Sequence, residues 1–275
     1  MASNKTIVLV TGANTGIGYE TIKALYASAT PHTLLMGSRS LDKAHEAIKK
    51  IQSDVPESSS EIVPVQLDIE DDDSIEKSAQ FVQSTYGKLD VLVNNAGASF
   101  DPVMAATPGP KALREAWNHT YSINVTSTEA TTQAFAPLLV ASSSTARILF
   151  ITSGLSSFAH VAGGALAATA RSPAIPAGWP KPAGPPSFIA YRSSKAALNM
   201  QMLEWSRVLK EDGVKVFCIS PGFLATGLGG VGSEKLKAVG AADASVGGEL
   251  IRDVVEGGRD ADAGLVVAKD GVQKW

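Results

Sequence analysis

The sequence has a single cysteine, Cys218, and only four histidines among its 275 residues. One thiol excludes an intramolecular disulfide, and scattered histidines argue against a metal site built from Cys and His. The scarcity of cysteine is also compatible with a reducing compartment.

The chain also lacks a strong charge bias and a long apolar run. Its formal net charge is −3, so it offers no basic surface to nucleic acid or anionic lipid. The apolar run 134–141 is interrupted by Pro137 and is far shorter than the roughly 20 residues of a membrane span. Residues 1–5 pass directly into the first predicted strand, which leaves no room for a signal peptide. We therefore expect a cytoplasmic protein with no nucleic-acid or membrane partner.

A glycine-rich turn, Thr-Gly-x-x-x-Gly-x-Gly, lies between the apolar run 7–10 and a predicted helix over 17–26. A strand, a glycine turn and a helix form the first unit of a nucleotide-binding βαβ fold. Gly12 allows a sharp exit from the strand, and Gly16 allows the backbone to approach a pyrophosphate at the helix N-terminus. Gly18 allows the helix and the strand to pack closely.

The alternation of apolar segments and helical periodicity continues to the end of the chain. It predicts one domain over 1–275, without internal repeats: a single-domain α/β Rossmann fold. We expect a doubly wound parallel sheet of about seven strands, flanked by helices on both faces. The predicted strands lie at 7–10, 33–36, 62–67, the start of 90–97, 147–152, 214–219 and 264–267. A long helix is expected to begin at Tyr191 and to end at Gly213.

Further motifs follow the glycine turn in a fixed order. Asn-Asn-Ala-Gly occupies 94–97, Thr-Ser ends the fifth strand at 152–153, and Tyr-x-x-x-Lys spans 191–195. A Pro-Gly step at 221–222 follows the sixth strand. Together these motifs resemble the short-chain dehydrogenase/reductase family, over residues 7 to 226. The resemblance implies a nicotinamide-dependent oxidoreductase.

The resemblance implies a catalytic set of Asn124, Ser153, Tyr191 and Lys195. Tyr191 would give a proton to the substrate oxygen, and Ser153 would hold that oxygen beside it. The i, i+4 spacing places Lys195 on the same helix face as Tyr191, where its charge is expected to lower the pKa of the phenol. Asn124 would hold an ordered water through a local break in its helix and so resupply the proton. The hydride would come from the cofactor.

The end of the second predicted strand indicates the cofactor. In NAD-binding units an acidic residue about 20 positions past the glycines binds the ribose 2′-hydroxyl. Here Ser38 stands in that region, and Arg39 follows it. A guanidinium can bind a 2′-phosphate bidentately, whereas a carboxylate would repel it. We therefore expect NADPH/NADP+ rather than NADH.

The other expected cofactor contacts follow from the resemblance. Asp68 and Ile69 would contact the adenine, and the Pro-Gly loop with its Thr would contact the nicotinamide end. The full predicted cofactor set is Gly12, Asn14, Thr15, Gly16, Ile17, Gly18, Ser38, Arg39, Asp68, Ile69, Asn95, Ala96, Gly97, Tyr191, Lys195, Pro221, Gly222 and Thr226. Asp90 and Asn94 are expected to be structural, with Asn94 bracing neighbouring strands.

Two segments are expected to shape the substrate site. Segment 155–187 is rich in Ala, Gly and Pro, and the monomeric carbonyl reductases of the family carry a comparable insertion. We expect it to wall the pocket and to favour a monomer or dimer over a tetramer; a tolerated surface loop is the alternative. Segment 227–241 is glycine-rich and predicts a flexible lid.

These features together predict an NADPH-dependent reductase of a ketone or aldehyde, most readily a bulky or hydrophobic ketone because the insertion and the lid carry few charges. One alternative is an NAD(P)-dependent alcohol dehydrogenase working oxidatively, against which Arg39 argues. Another is a non-catalytic NADP-sensing regulatory protein. Such proteins usually lose the Tyr or the Lys of the motif, and both are present here.

Overall fold

An eight-stranded sheet lies at the centre of the computed structural model, which describes residues 5–106, 109–142, 146–167, 170–171, 176–179, 181, 188–230 and 232–275. The strands are β1 (Thr6–Val10), β2 (His32–Ser38), β3 (Glu61–Gln66), β4 (Val91–Asn94), β5 (Arg147–Ile151), β6 (Ala165–Ala167), β7 (Ala170–Arg171), β8 (Lys215–Ser220), β9 (Val266–Ala268) and β10 (Gly271–Val272). The order in the sheet is β3-β2-β1-β4-β5-β8-β9-β10, and β6 and β7 form a separate antiparallel pair.

The helices are α1 (Gly16–Tyr26), α2 (Leu41–Asp54), α3 (Asp72–Tyr86), α4 (Asp101–Ala106), α5 (Pro110–Tyr121), α6 (Thr128–Val140), α7 (Phe158–Ala162), α8 (Ile189–Val208), α9 (Ser233–Ala238) and α10 (Ser245–Val255). A π-helical turn, Ser122–Ser127, joins α5 to α6. Apolar residues of α1, α2 and α10 pack on one face of the sheet, and those of α3, α6 and α8 pack on the other. The helices therefore cover both faces, as expected for a doubly wound fold.

The predicted Rossmann architecture is confirmed. All strand pairs from β3 to β9 in the described sheet are parallel, and their bounds agree closely with the predicted strands. The sequence did not predict β10, which pairs antiparallel with β9, or the β6–β7 pair. These strands are two or three residues long, so they show no periodicity from which a strand could be inferred.

The predicted end of the long helix is wrong. α8 ends at Val208, and the N–H of Gly213 instead closes a turn on the carbonyl oxygen of Lys210, 3.2 Å away. Gly213 has a φ of 73°, which reverses the chain into β8. A glycine with positive φ serves such a turn as readily as a helix end, so composition alone does not distinguish the two.

The topology brings the motif residues to one edge of the sheet. The strand order changes direction between β1 and β4, and ligands of doubly wound folds bind at this switch point beyond the carboxyl ends of the strands. β1, β4, β5 and β8 all end there. The segments that follow them carry the glycine turn, the Asn-Asn-Ala-Gly motif, Ser153 and the Pro-Gly step.

Asp90 holds the opposite edge of the sheet together. Its carboxylate accepts hydrogen bonds from the N–H of Ile7 at 2.8 Å, from the Lys88 ammonium at 2.8 Å, and from the hydroxyl of Ser142. Asp90 is buried, and its own backbone bonds to Ile7 and Arg147. The predicted structural role of this residue is confirmed.

Replacing Asp90→Ala is expected to lower the free energy of unfolding by about 2–3 kcal/mol, because the buried N–H of Ile7 loses a charged acceptor. Urea unfolding of the two proteins measures the difference. Asp73→Ala is the matched control, since Asp73 is exposed and, among the described residues, forms its ion pair with Lys77 on the surface of α3. Equal stability of the two variants would contradict the structural role of Asp90.

Candidate active site

The glycine turn forms a backbone cradle that leaves little room for a side chain at Gly12 or Gly18. Gly12 has a φ of 60°, and a Cβ on it would lie 3.1 Å from the Cα of Ala96. A Cβ on Gly18 would lie 2.5 Å from Nδ2 of Asn95 and 2.8 Å from the carbonyl oxygen of Gly12. A Cβ on Gly16 would meet only the side chain of Thr226, at a distance of 3.8 Å. The backbone at Gly16 is therefore open to a ligand, while its neighbours are closely packed.

The N-terminus of α1 adds an anion-binding element to this cradle. Its N-cap residue, Thr15, makes no side-chain capping bond, and no acidic residue lies in the first turn. Gly16 and Ile17 line the same cleft as Gly12 and Asn14. Uncapped N–H groups and the helix dipole favour a phosphate at such a position. These residues therefore fit the diphosphate of a dinucleotide.

Arg39 lines the cleft, as do Asp68 and Ile69. Its side chain is exposed, and no ion pair to it occurs among the described residues. Ser38, in contrast, is buried, and its hydroxyl bonds to Oδ1 of Asn14 at 3.2 Å and to the carbonyl oxygen of Ser40 at 2.9 Å. Arg39 lines the cleft, whereas Ser38 shapes the loop behind it.

The Asn-Asn-Ala-Gly motif is fixed to the first strand. The hydroxyl of Thr11 accepts hydrogen bonds from the N–H groups of Asn95 at 3.0 Å and Ala96 at 2.9 Å. Asn94 is structural, as predicted, but its amide donates to Thr132 on α6 at 2.9 Å rather than to a neighbouring strand. A Cβ on Gly97 would lie 2.9 Å from Oδ1 of Asn124, so this glycine lets the motif pass close to the catalytic set.

The expected local break in the helix around Asn124 is confirmed by the π-helical turn. Asn124 is fully buried, and its side chain exchanges two 2.8 Å hydrogen bonds with the backbone of Ala98. Its amide nitrogen also donates to the hydroxyl of Ser194 at 2.9 Å. Asn124 thus fixes the segment after β4 to α8. Its role in holding a water stays a prediction.

Tyr191, Lys195 and Ser153 meet at the centre of the cleft. Tyr191 and Lys195 share one face of α8, and the Lys195 ammonium lies 5.7 Å from the centroid of the phenol ring. That ammonium donates a 2.7 Å hydrogen bond to the carbonyl oxygen of Ile151. The side chain of Ser153 hydrogen bonds to Tyr191. The structure therefore brings the predicted catalytic residues together, with Asn124 adjoining them through Gly97.

The pKa of Tyr191 differs from the one that the sequence predicted. Burial raises the pKa of Tyr191 to about 12, and the hydrogen bond with Ser153 opposes that rise. Burial also lowers the pKa of Lys195 to about 8. The expected lowering of the phenol pKa by Lys195 is therefore wrong for the chain's own groups. The physical reason is desolvation of both side chains, which disfavours the phenolate and the ammonium alike.

The cleft that contains the catalytic group is lined mainly by apolar surface. Its volume is about 1680 Å³, larger than the roughly 300–1,000 Å³ of a typical ligand pocket. This volume exceeds what a single small ligand needs. A largely apolar group of the lining residues, called the mouth below, comprises Ser99, Leu155, Ala159, His160, Phe188, Phe223, Leu228, Leu236, Val239 and Val272.

The predicted insertion is described at 155–167, 170–171, 176–179 and 181, and the rest of 155–187 lies outside the described residues. Leu155, Ala159 and His160 line the cleft, as a pocket wall would. On the outer face of α8, the side chains of Met200 and Leu203 are exposed. The expected effect of the insertion on assembly stays a prediction.

The C-terminal segment 271–275 is part of the site, which the sequence did not predict. Gln273 donates to the carbonyl oxygen of Ser153 at 3.4 Å, and Ser157 donates to the carbonyl oxygen of Lys274 at 2.7 Å. The N–H of Ala159 donates to Trp275 O, also at 2.7 Å. These bonds hold the segment after Ser153 against the end of the sheet. The segment has no distinctive composition, so the sequence carried no signal for this role.

No helix in the described ranges combines the length and the apolar character that crossing a bilayer would require.

Comparison with known proteins agrees with this geometry. The family model described as short chain dehydrogenase matches residues 6–170. Short-chain dehydrogenase/reductase eupG of a Phoma species is 47% identical over 282 residues, covering 100% of this chain and 99% of that protein. Short-chain dehydrogenase/reductase tropE of Talaromyces stipitatus is 46% identical over 269 residues, covering 98% and 97%.

Solved structures share the fold over almost the whole chain. The NADPH-bound carbonyl reductase from chicken fatty liver superimposes with a TM-score of 0.75 at 26% identity, covering 99% of this chain and 100% of that one. The carbonyl reductase Sniffer of D. melanogaster gives a TM-score of 0.72 at 22% identity, with the same coverage, and supports the fold alone. The chain belongs to the short-chain dehydrogenase/reductase family of NAD(P)(H)-dependent oxidoreductases.

Proposed function

We propose that the protein is an NADPH-dependent reductase that converts a ketone or aldehyde to the alcohol, with Tyr191 as the proton donor. The observation that carries this proposal is a buried phenol that keeps its proton, hydrogen bonded to Ser153 in the same cleft as the glycine cradle. A phenol with a pKa of about 12 is protonated at neutral pH, the form that reduction requires.

When bound, the nicotinamide supplies the hydride that reaches the carbonyl carbon. The chain's own groups act on the carbonyl oxygen. The hydroxyls of Ser153 and Tyr191 donate hydrogen bonds to it and so stabilise the negative charge that develops there. Tyr191 then releases its proton to that oxygen. The nearby Lys195 ammonium stabilises the phenolate that remains until the proton is replaced.

Arg39 supports the choice of NADPH. It is an exposed cation that lines the cleft, and no ion pair to it occurs among the described residues. Ser38 at the end of β2 is not acidic, so the carboxylate that would repel a 2′-phosphate from that position is absent. The solved carbonyl reductase from chicken fatty liver is described as NADPH-bound, which is consistent with this proposal.

The mouth of the cleft favours a bulky, mainly apolar carbonyl compound. Leu155, Leu236 and Val239 line it, and Phe223 presents a ring that is 56% exposed. Exposed apolar side chains at a cleft mouth gain most by covering an apolar ligand. Segment 227–241, described except for residue 231, supplies several of these side chains and would act as the lid.

Tyr191→Phe is expected to lower kcat by about 10²- to 10⁴-fold, because the proton donor is removed while the ring is kept. NADPH oxidation with a panel of ketones and aldehydes measures the effect, and cofactor titration checks that binding persists. Tyr86→Phe is the matched control, since Tyr86 lies at the end of α3 against Phe81, away from the cleft. An active Tyr191→Phe enzyme would show that the proton comes from elsewhere, and NADPH binding without turnover across the panel would favour a sensor.

Arg39→Ala is expected to raise the KM for NADPH by about 10- to 100-fold, since a charge-assisted contact to the 2′-phosphate contributes roughly 1.5–3 kcal/mol. The KM for NADH should change by less than about twofold. Lys43→Ala, which removes an exposed cation of α2 outside the cleft, is the control. Equal changes with both cofactors would refute the proposed NADPH preference.

The pH dependence follows from Lys195. Its pKa is lowered to about 8, so its charge is present below that pH and is lost as pH rises through it. Tyr191 stays protonated over the same range. We therefore expect kcat/KM for carbonyl reduction to be constant at neutral pH and to fall as pH rises through about 8. A profile that rises over this interval would contradict the assignment.

We also propose a monomer or dimer rather than a tetramer, because segment 155–187 immediately precedes α8. Light scattering of the purified protein measures the molar mass. The expected value is one or two times 28.5 kDa. A stable tetramer would refute the idea that this segment limits assembly.

A further inference from the structure

The helix that carries Tyr191 is capped by a residue from elsewhere in the chain. The carboxylate of Asp101 accepts a hydrogen bond from the N–H of Ala190 at 3.0 Å and another from the N–H of Tyr191, also at 3.0 Å. Each oxygen takes one of these bonds. Asp101 is only 3% exposed, so the bonds are shielded from water. A carboxylate at a helix N-terminus also compensates the positive end of the helix dipole.

α8 has no cap of its own. Its N-cap residue, Phe188, makes no side-chain capping bond and adopts a left-handed backbone with φ 50° and ψ 38°. Among the described residues, Phe188 alone combines a positive φ with a side chain other than that of glycine. The chain therefore enters α8 through a strained residue, and Asp101 supplies the acceptors that a local Ser, Thr or Asp would normally provide.

Asp101 is itself held by Ser99, a residue that lines the cleft. The hydroxyl of Ser99 bonds to its Oδ2 at 3.2 Å, and Ser99 lines the cleft. Phe100 stacks on the ring of His119, with centroids 4.1 Å apart, which anchors the same segment to α5. On the other side, a Cβ on Gly229 would lie 3.7 Å from Cγ of Pro102. Segment 99–102 thus lies between the turn Leu228–Gly230 and the start of α8.

We propose that Asp101 is a positioning residue for Tyr191. It fixes the backbone of the proton donor and couples the position of the phenol to segment 99–102, in which Ser99 lines the cleft. The inference rests on the proposed function for its catalytic consequence. Its structural part, the cap, stands on hydrogen bonds alone. Misplacing a reacting group by about 1 Å can cost about 100-fold in rate, which makes such a cap kinetically important.

Hydrogen exchange tests the cap without any assay of activity. In Asp101→Ala the amides of Ala190 and Tyr191 lose their acceptors, so the peptide that spans 189–195 should exchange at least about tenfold faster. Asp101→Asn keeps an acceptor oxygen and should restore part of the protection. Asp71→Ala is the matched control, because Asp71 caps a different helix, α3, through the N–H of Ser74. Unchanged exchange at 189–195 in Asp101→Ala would overturn the cap.

Steady-state kinetics test the positioning role. We expect kcat of Asp101→Ala to fall by about 10- to 100-fold while the KM for NADPH changes by less than about twofold. Asp101→Asn should recover part of kcat, and Asp71→Ala should keep the wild-type kcat even where its melting temperature falls. If Asp101→Ala exchanges faster but keeps the wild-type kcat, or loses no more than Asp71→Ala, the positioning role is refuted.

The two proposals fail in different ways. If the wild-type protein reduces no carbonyl compound, the proposed function fails, whereas the exchange result at 189–195 still decides whether Asp101 caps α8. If wild-type turnover is present and the Asp101 variants match it, only the positioning role fails. Asp101→Asn keeps the test decisive if Asp101→Ala does not fold.

Discussion

Desolvation of Tyr191 and Lys195 is the constraint on which the proposed chemistry depends. Both side chains lie on one face of α8 and line the cleft, yet Tyr191 is only 9% exposed and Lys195 only 4% exposed. Burial keeps the phenol in its protonated donor form, although it also makes the phenol a weaker acid, and it makes the ammonium of Lys195 easier to discharge. The rest of the fold serves to hold this pair against a backbone cradle that accepts a dinucleotide.

Hydrogen bonds between short side chains and the backbone join the glycine cradle to Tyr191 and Lys195. Thr11 binds the segment that follows β4, and Gly97 in that segment passes between Asn124 and Lys195. Asn124 in turn fixes Ala98 and Ser194. The approach at Gly97 depends on the absence of a side chain, whereas the other contacts are hydrogen bonds of the Thr11 and Asn124 side chains.

The parts of the site that the sequence could predict are those set by local spacing along the chain. Gly12, Gly16 and Gly18 follow a strand at fixed spacing, and their steric role is local, so it is visible in the sequence. The same holds for Tyr191 and Lys195, whose i, i+4 spacing places them on one helix face. The doubly wound parallel sheet could also be predicted, because alternating strands and helices permit few topologies.

What the sequence could not predict depends on contacts between distant segments. Gln273 reaches the backbone of Ser153, and Asp101 reaches Tyr191, without a motif at either end. The pKa of Tyr191 was misjudged for the same reason, since the helix spacing reveals the nearby charge but not the degree of burial. The end of α8 was misplaced because a glycine with positive φ marks a turn as well as a helix end.

The most direct test of the account is the ionisation of Tyr191 in the protein without added cofactor. Tyrosines labelled with ¹³C at the ring Cζ would be titrated by NMR, with Tyr191→Phe used to assign the signal. The account predicts that the Tyr191 signal stays that of a neutral phenol through about pH 10 and titrates near 12. A Tyr191 signal that titrates near neutral pH would contradict the claim that burial keeps this phenol protonated.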